Sequence, residues 1–424
     1  MRLAERVAAM RELPLPALRL VVVPHSFSNL SKAAVAAAMA PYFDAACTAV
    51  YAPPAEADPG NRTNANDSQG APLERLDHAG DEEAANDLFR ERGWLDGLPM
   101  LAPTAERVER MLGGLAGQRR TILGKVPPKG AALTLEGLAV CAVMAGCAPA
   151  HFPIVVSAAR AVLDPAFNLL TTATTTNAAS PLLIASGPMA RAAGIQGGND
   201  LLGSYHRANI AIGRAIRLML ISVGECRPTD GGDMATQGQG MKVGICITEH
   251  PDSPWEPLHV ELGCAPEETA VIALSTTAQS NLLDFGSRDA DDLLTMFARS
   301  IAVPCMQNMQ TPGGPVIVIG IEHARILARD GLSKADVKRR LFEEARIPVG
   351  WFGKDTVNDI LKVRRAPWGH AATNPSRLIP IADEIDEITI VVGGGEGQHS
   401  VLMPTFHTPR PVLARVGTEG LGGR

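Results

Sequence analysis

Apolar and polar positions follow two different periods along this chain, and the change from one to the other marks its elements. Short apolar runs bounded by turn residues, Leu20–Val23, Leu182–Ala185, Val316–Ile319, Ile388–Val392 and Val401–Met403, have the length of buried strands. Thr48–Tyr51 and Lys242–Thr248 read as further strands. Helical periodicity covers Lys32–Met39, Glu82–Glu91, Phe152–Leu163 and the segment HRANIAIGRAIRLML from His206. Thr104 and Thr134 are placed to cap helices, the first running to Leu112 and the second through Cys147, with its end near Gly146. Strands alternating with helices predict an α/β fold, a mixed sheet covered by helices.

The polar stretch PPAEADPGNRTNANDSQGAP from Pro53 interrupts this pattern, because it holds too little apolar surface to offset the entropy of ordering it. The expected organisation is a small α/β segment over 1–55, a flexible linker over 56–80 and a main α/β domain over 81–424. Within that domain the pattern repeats. PLLIASGPMARAA (Pro181–Ala193) aligns without gaps on PVIVIGIEHARIL (Pro315–Leu327), and IVVSAARAVLDP (Ile154–Pro165) lies over LLTMFARSIAVP (Leu293–Pro304). The helix-to-strand spacing differs between the copies by five residues. The expectation is an internal duplicated helix-strand-helix unit, near 152–223 and 291–346, in a pseudo-twofold arrangement.

Composition narrows the functional classes. The 424 residues are 46% hydrophobic with a net charge of -6, so no basic footprint for nucleic acid is present. No apolar run is long enough to span a bilayer, and the amino terminus MRLAERVAAMREL lacks a signal-peptide pattern. The seven cysteines contain no Cys-x-x-Cys pair, which favours a reducing, cytoplasmic setting over a disulfide or zinc framework.

Four segments carry candidate chemistry. GGGEGQHS, Gly393–Ser400, follows a strand; its glycines, Gly394 and Gly395 among them, let backbone N–H groups approach an anion, while His399 and Ser400 add a proton carrier and a donor. A plain glycine hairpin between two strands is the alternative. GMKVGICITEHPDSPWEPLHVELG, Gly240–Gly263, gathers Cys246, Glu249, His250, Trp255, Glu256 and His259, enough for a nucleophile, a general base and an orienting carboxylate. Its alternative is a buried, inert Cys246 beside a solvated loop. TTATTTNAAS (Thr171–Ser180), with Asn177, and STTAQSNLLDFGS (Ser275–Ser287) offer hydroxyls and amides at strand ends, or are simply β-branched strand residues. Arg207 and Asn209, near the start of the His206 helix, could receive an anion.

Taken together, GWLDGLPMLAPTAERVERML, AVMAGCAPAHFP, HRANIAIGRAIRLML, SPWEPLHVELG and LSKADVKRRLFEEARIP resemble a bacterial family encoded with, or fused to, the UGSC proteins, named for a selenocysteine- or cysteine-Gly-Ser-Cys motif. The resemblance spans most of Asp81–Met403. It implies a cytosolic bacterial protein and places Cys147, Cys246, Glu249, Trp255, Glu256 and His259 inside the family's motifs. A UGSC module carries paired chalcogen residues, whereas VVVPHSFSNLSKAAV here is followed only by Cys47; if residues 1–55 are a remnant of that module, its redox chemistry is gone from this chain.

The resulting expectation is a hydrolase or lyase acting on a small polar, carboxylate- or amide-bearing metabolite in a cleft between the duplicated halves. Cys246 would be the nucleophile, His259 the acid/base and Glu256 its orienting group. Glu249, Trp255, Arg207, Asn209, Asn177, Gly394, Gly395, His399 and Ser400 would bind substrate. No cofactor is required by the sequence; a metal-assisted hydrolase with a divalent metal on His259, Glu249 and His399 is one alternative. A non-catalytic accessory subunit for a partner redox protein is another. A homo-oligomer is compatible with either.

Overall fold

The computed structural model describes residues 32–43, 70, 72–73, 75–78, 80–358 and 365–417. The chain divides into two compact units, Met1–Asp67 and Ser68–Arg424. Of the first, the helix Lys32–Met39 is described, as its alanine-rich sequence predicts. The strands expected at Leu20–Val23 and Thr48–Tyr51 lie outside the described residues. In the second unit Gly70 is buried and exchanges backbone and side-chain hydrogen bonds with Arg120.

Local sequence sets the start of the first helices. In α1 (Glu82–Glu91) Asp81 accepts from Ala84 N, and in α2 (Ala105–Leu112) Thr104 accepts from Arg107 N. The hairpin β1 (Ile122–Val126) and β2 (Ala131–Thr134) leads to α3 (Leu135–Met144), where Thr134 accepts from Gly137 N. Helices α4 (Phe152–Leu163) and α5 (Leu169–Thr174) precede β3 (Ser180–Ser186), α6 (Pro188–Ala192), α7 (Arg207–Ser222) and β4 (Ile245–Ile247). Next come α8 (Leu258–Glu261), β5 (Ala270–Thr276), β6 (Ser280–Leu283), α9 (Ala290–Ile301), β7 (Val316–Ile319), α10 (Ile321–Arg329) and α11 (Lys334–Glu344). The chain closes with β8 (Arg346–Pro348), β9 (Leu378–Pro380), β10 (Thr389–Val392), β11 (His399–Met403) and β12 (Val412–Arg415).

The fold is α/β, and it contains two mixed sheets rather than one. The first has the order β12-β5-β3-β4 and the second β10-β7-β11-β6. Each contains one parallel pair, β3 with β4 and β7 with β10, followed by two antiparallel steps. The two segments that align in sequence, around β3 and β7, hold equivalent inner positions. The outer strands are exchanged: β6 follows β5 in sequence but pairs with β11, while β12 follows β11 but pairs with β5. The connections cross where Thr277 N donates to Pro404 O and Phe406 N to Ser275 O.

Strand alternation then builds three apolar layers. Leu182, Ile184, Ile245, Ile247 and Ile272 of the first sheet pack against Val316, Val318, Val391 and Met403 of the second. The opposite faces carry helices: Leu183, Ala185, Cys246 and Ala273 meet α3, α4 and α7, whereas Ile317, Ile319, Ile390 and Leu402 meet α9, α10 and α11. The layers therefore run helix, sheet, sheet, helix.

Some local expectations change. The strand expected over Lys242–Thr248 is shortened to Ile245–Ile247, since 240–243 form a 3-10 turn and Gly244 has φ 105°. Thr171–Thr174 belong to α5 and not to a strand. Gly393–Ser400 is no hairpin, because β7 lies between β10 and β11.

Candidate functional site

The carboxyl ends of the two parallel pairs meet. His250 N, after β4, donates to Val392 O at the end of β10 (2.8 Å), and Gly394 N donates to Gly197 O (2.9 Å). At this junction the first sheet ends in Ser186 on β3, and the parallel register places Glu249, two residues beyond β4, beside it. Both share the inner-face parity of Leu182, Ile184, Ile245 and Ile247.

Ser186 Oγ donates to Glu249 Oε2 at 2.7 Å and lies 2.8 Å from His259 Nδ1 on α8. A carboxylate only accepts, so the serine proton lies toward Glu249 and the imidazole contact is read as Nδ1–H donating to Oγ. Leu258 N donates to the same Oε2 at 2.8 Å. From the second half, Lys334 at the start of α11 reaches Glu249 Oε1 at 3.5 Å and Glu261 Oε2 at 3.3 Å, and Lys338 pairs with Glu261. Trp255 Nε1 donates to Leu332 O, pinning the same loop to the turn before α11. Ser186 and His259 are each 1% exposed, Lys334 6% and Glu249 9%, so this is a built, desolvated polar cluster.

Chemistry-bearing residues foreseen in the sequence divide between this cluster and other places. Glu249 and His259 come together. Cys246 does not join them, because it projects from β4 to the opposite face, against the helices, where burial pushes its thiol up to about 12. The expected pairing of Cys246 with His259 is therefore corrected: the partner of His259 is Ser186. Glu256 is exposed and the carboxylate in the cluster is Glu249, so its orienting role is corrected as well. Trp255 anchors its loop to the turn before α11.

Asn209 is fully buried and spends its amide on Gln196 N, Gln196 O and Leu201 O, which holds the 196–201 loop rather than a ligand. Asn177 donates to Gln307 Oε1. Arg207 is exposed at the start of α7 and donates to Gly146 O, near Cys147, whose thiol burial raises to about 12. Gly394 and Gly395 abut the 197–199 loop; a Cβ on Gly395 would fall 1.3 Å from Asn199 Oδ1. His399 is exposed and bonded to Asn281, whereas Ser400 is buried between Gly320 N and His323 Nδ1. The metal set His259, Glu249 and His399 is not assembled, and no group of three or more His, Cys, Asp or Glu able to hold a metal occurs among the described residues. No helix among them is long and apolar enough to cross a membrane.

Sequence reasoning passed over Ser186, Lys334 and Glu261. The one local signal for Ser186 was its position at the end of an apolar strand, directly before Gly187-Pro188 and a helix. No protein-family model matches the chain, and no curated protein matches it.

Proposed function

We propose that the chain is an enzyme acting on a small polar, carboxylate- or amide-bearing molecule by hydrolysis or elimination, with Ser186, Glu249 and His259 as its reacting centre. The observation that carries this reading is the Ser186 hydroxyl, held at once by a carboxylate 2.7 Å away and an imidazole nitrogen 2.8 Å away. Glu249 takes the serine proton, and His259 Nδ1–H stabilises the oxygen as it becomes anionic. The location supports the reading too: the carboxyl ends of strands in α/β sheets are where ligand crevices form. The common pairing order of the two sheets supports treating the halves as copies of one ancestral unit, with this centre on one copy only. At the positions equivalent to Ser186 and Glu249 the second sheet has Gly320 and Gly393.

A second reading, a non-catalytic accessory subunit, is favoured by the burial of every member of the cluster. It also accords with the motif resemblance to proteins encoded beside UGSC partners. A fluorophosphonate probe separates the two. The enzyme reading expects one phosphonyl adduct on the folded chain, mapped to Ser186 by mass spectrometry and absent from Ser186→Ala. Lack of any adduct at Ser186, with the folded state intact, removes this centre and leaves the accessory reading.

A further inference from the structure

At the opposite end of the first sheet, where β3 and β4 begin, lies a small cavity that the Ser186 cluster does not use. It is bounded by α5, the start of β3, one face of α7 and the Lys242–Gly244 turn, and gives about 20 Å³ to the centre of a water-sized sphere. That space holds one water molecule or one ion of similar size, and no larger metabolite.

Its polar side chains are the Thr172 and Ser180 hydroxyls and the Arg217 and Lys242 cations, and the Ser180 hydroxyl already donates to Met241 O. Thr172 is 2% exposed, and its Oγ1 finds no hydrogen-bond partner among the described residues. A buried hydroxyl left in that condition costs stability unless something in the cavity accepts from it. Arg217 and Lys242 also line the space, and Asp233 is the carboxylate paired with both. Lys242 Nζ contacts the two Asp233 oxygens at 2.6 and 2.8 Å, while Arg217 contributes a single contact at 3.1 Å. Burial pushes the Asp233 carboxyl up, but its bonds to Lys242 and Ala235 N and the nearby Arg217 charge outweigh this and hold it below the ordinary range. One anion thus faces two cations, and the trio carries a net charge of +1. Leu183, Ile216 and Leu220 make much of the rest of the wall apolar, which favours a weakly hydrated guest.

We propose that this cavity is a binding site for one small anion of halide size, held by Arg217, Lys242 and the Thr172 hydroxyl. An anion accepts from all three at once and neutralises the surplus charge, which a neutral water leaves in place. The site is independent of the Ser186 cluster.

The test compares thermal unfolding of the full chain in sodium bromide and in sodium gluconate at matched ionic strength, since gluconate is too large to enter. A saturable bromide-dependent rise of about 2 °C is expected from one site bound only in the folded state. Thr172→Val keeps the side-chain shape and removes an unpartnered hydroxyl, so it should be at least as stable in gluconate yet lose most of the bromide response. Crystals grown in bromide should show an anomalous peak in the cavity. An equal bromide response in the native chain and Thr172→Val, or a cavity with water density and no anomalous signal, overturns the proposal.

Discussion

At the scale of single residues, burial decides which side chains can react. Cys246 and Cys147 are enclosed, with thiols raised to about 12 by burial, while Cys305 is exposed. A maleimide reagent followed by peptide mapping should label Cys305 on the folded protein and reach Cys246 only after unfolding. Rapid native labelling of Cys246 would restore it as a candidate nucleophile. Histidines give a pH signature. His323 is fully buried, and burial lowers its pKa from 6.5 despite the opposing Asp284 carbonyl bond and Asp284 charge; His151 is lowered mainly by burial and then by Arg207. Below the unfolded value the denatured chain takes up protons that the folded chain refuses. Stability is therefore complete above it and declines as pH falls toward the folded values. The urea midpoint should drop between about pH 7.5 and about pH 5.5, and the His323 ring resonance should titrate below the ordinary value. The sequence indicated that His and Glu side chains gather near 249–259. It could not indicate that Ser186, 73 positions from His259, completes the group.

At the scale of elements, caps and apolar periods acted locally and were legible. Glu82–Glu91 and Phe152–Leu163 form with the limits expected from sequence, and Thr104 and Thr134 cap as expected. Where elements press together, the deciding fact is spatial. A Cβ on Gly213, in the middle of α7, would lie 2.1 Å from Ile245 N, and one on Gly244 2.2 Å from Gly213 C. These two glycines let the helix seat directly on β4. Gly213→Ala should cost at least about 2 kcal/mol in a denaturant titration, because backbone on both sides must move; a cost near zero would mean that the helix does not sit on the strand. Helix α7 is tied at another point by Arg214, whose guanidinium makes a two-pronged pair with Asp96 at 2.7 and 2.9 Å in a largely buried position. Asp96→Ala leaves that cation without its partner and should lower stability by about 3–5 kcal/mol, read from the same titration.

For the whole molecule, the exchange of β6 and β12 fastens the two sheets together. Val412 of β12 belongs to the core beneath the helices, and β12 supplies four register pairs to β5. A chain ending at Arg410 should lose this strand, expose the edge of β5 and fail to show a cooperative unfolding transition by circular dichroism. Native-like cooperativity would show the exchanged strand to be dispensable. The sequence by itself determined the α/β class, the limits of several helices and the likeness of the segments around β3 and β7, since these depend on neighbours a few residues apart. Only the tertiary structure decided that eight strands divide between two four-stranded mixed sheets, that the Cys246 face of β4 lies under helices while the opposite face meets the second sheet, and that β6 and β12 each cross to the other sheet's edge. Those outcomes follow from long-range pairing and layer packing: a strand of four residues is compatible with either edge, and the apolar faces it can bury against select one.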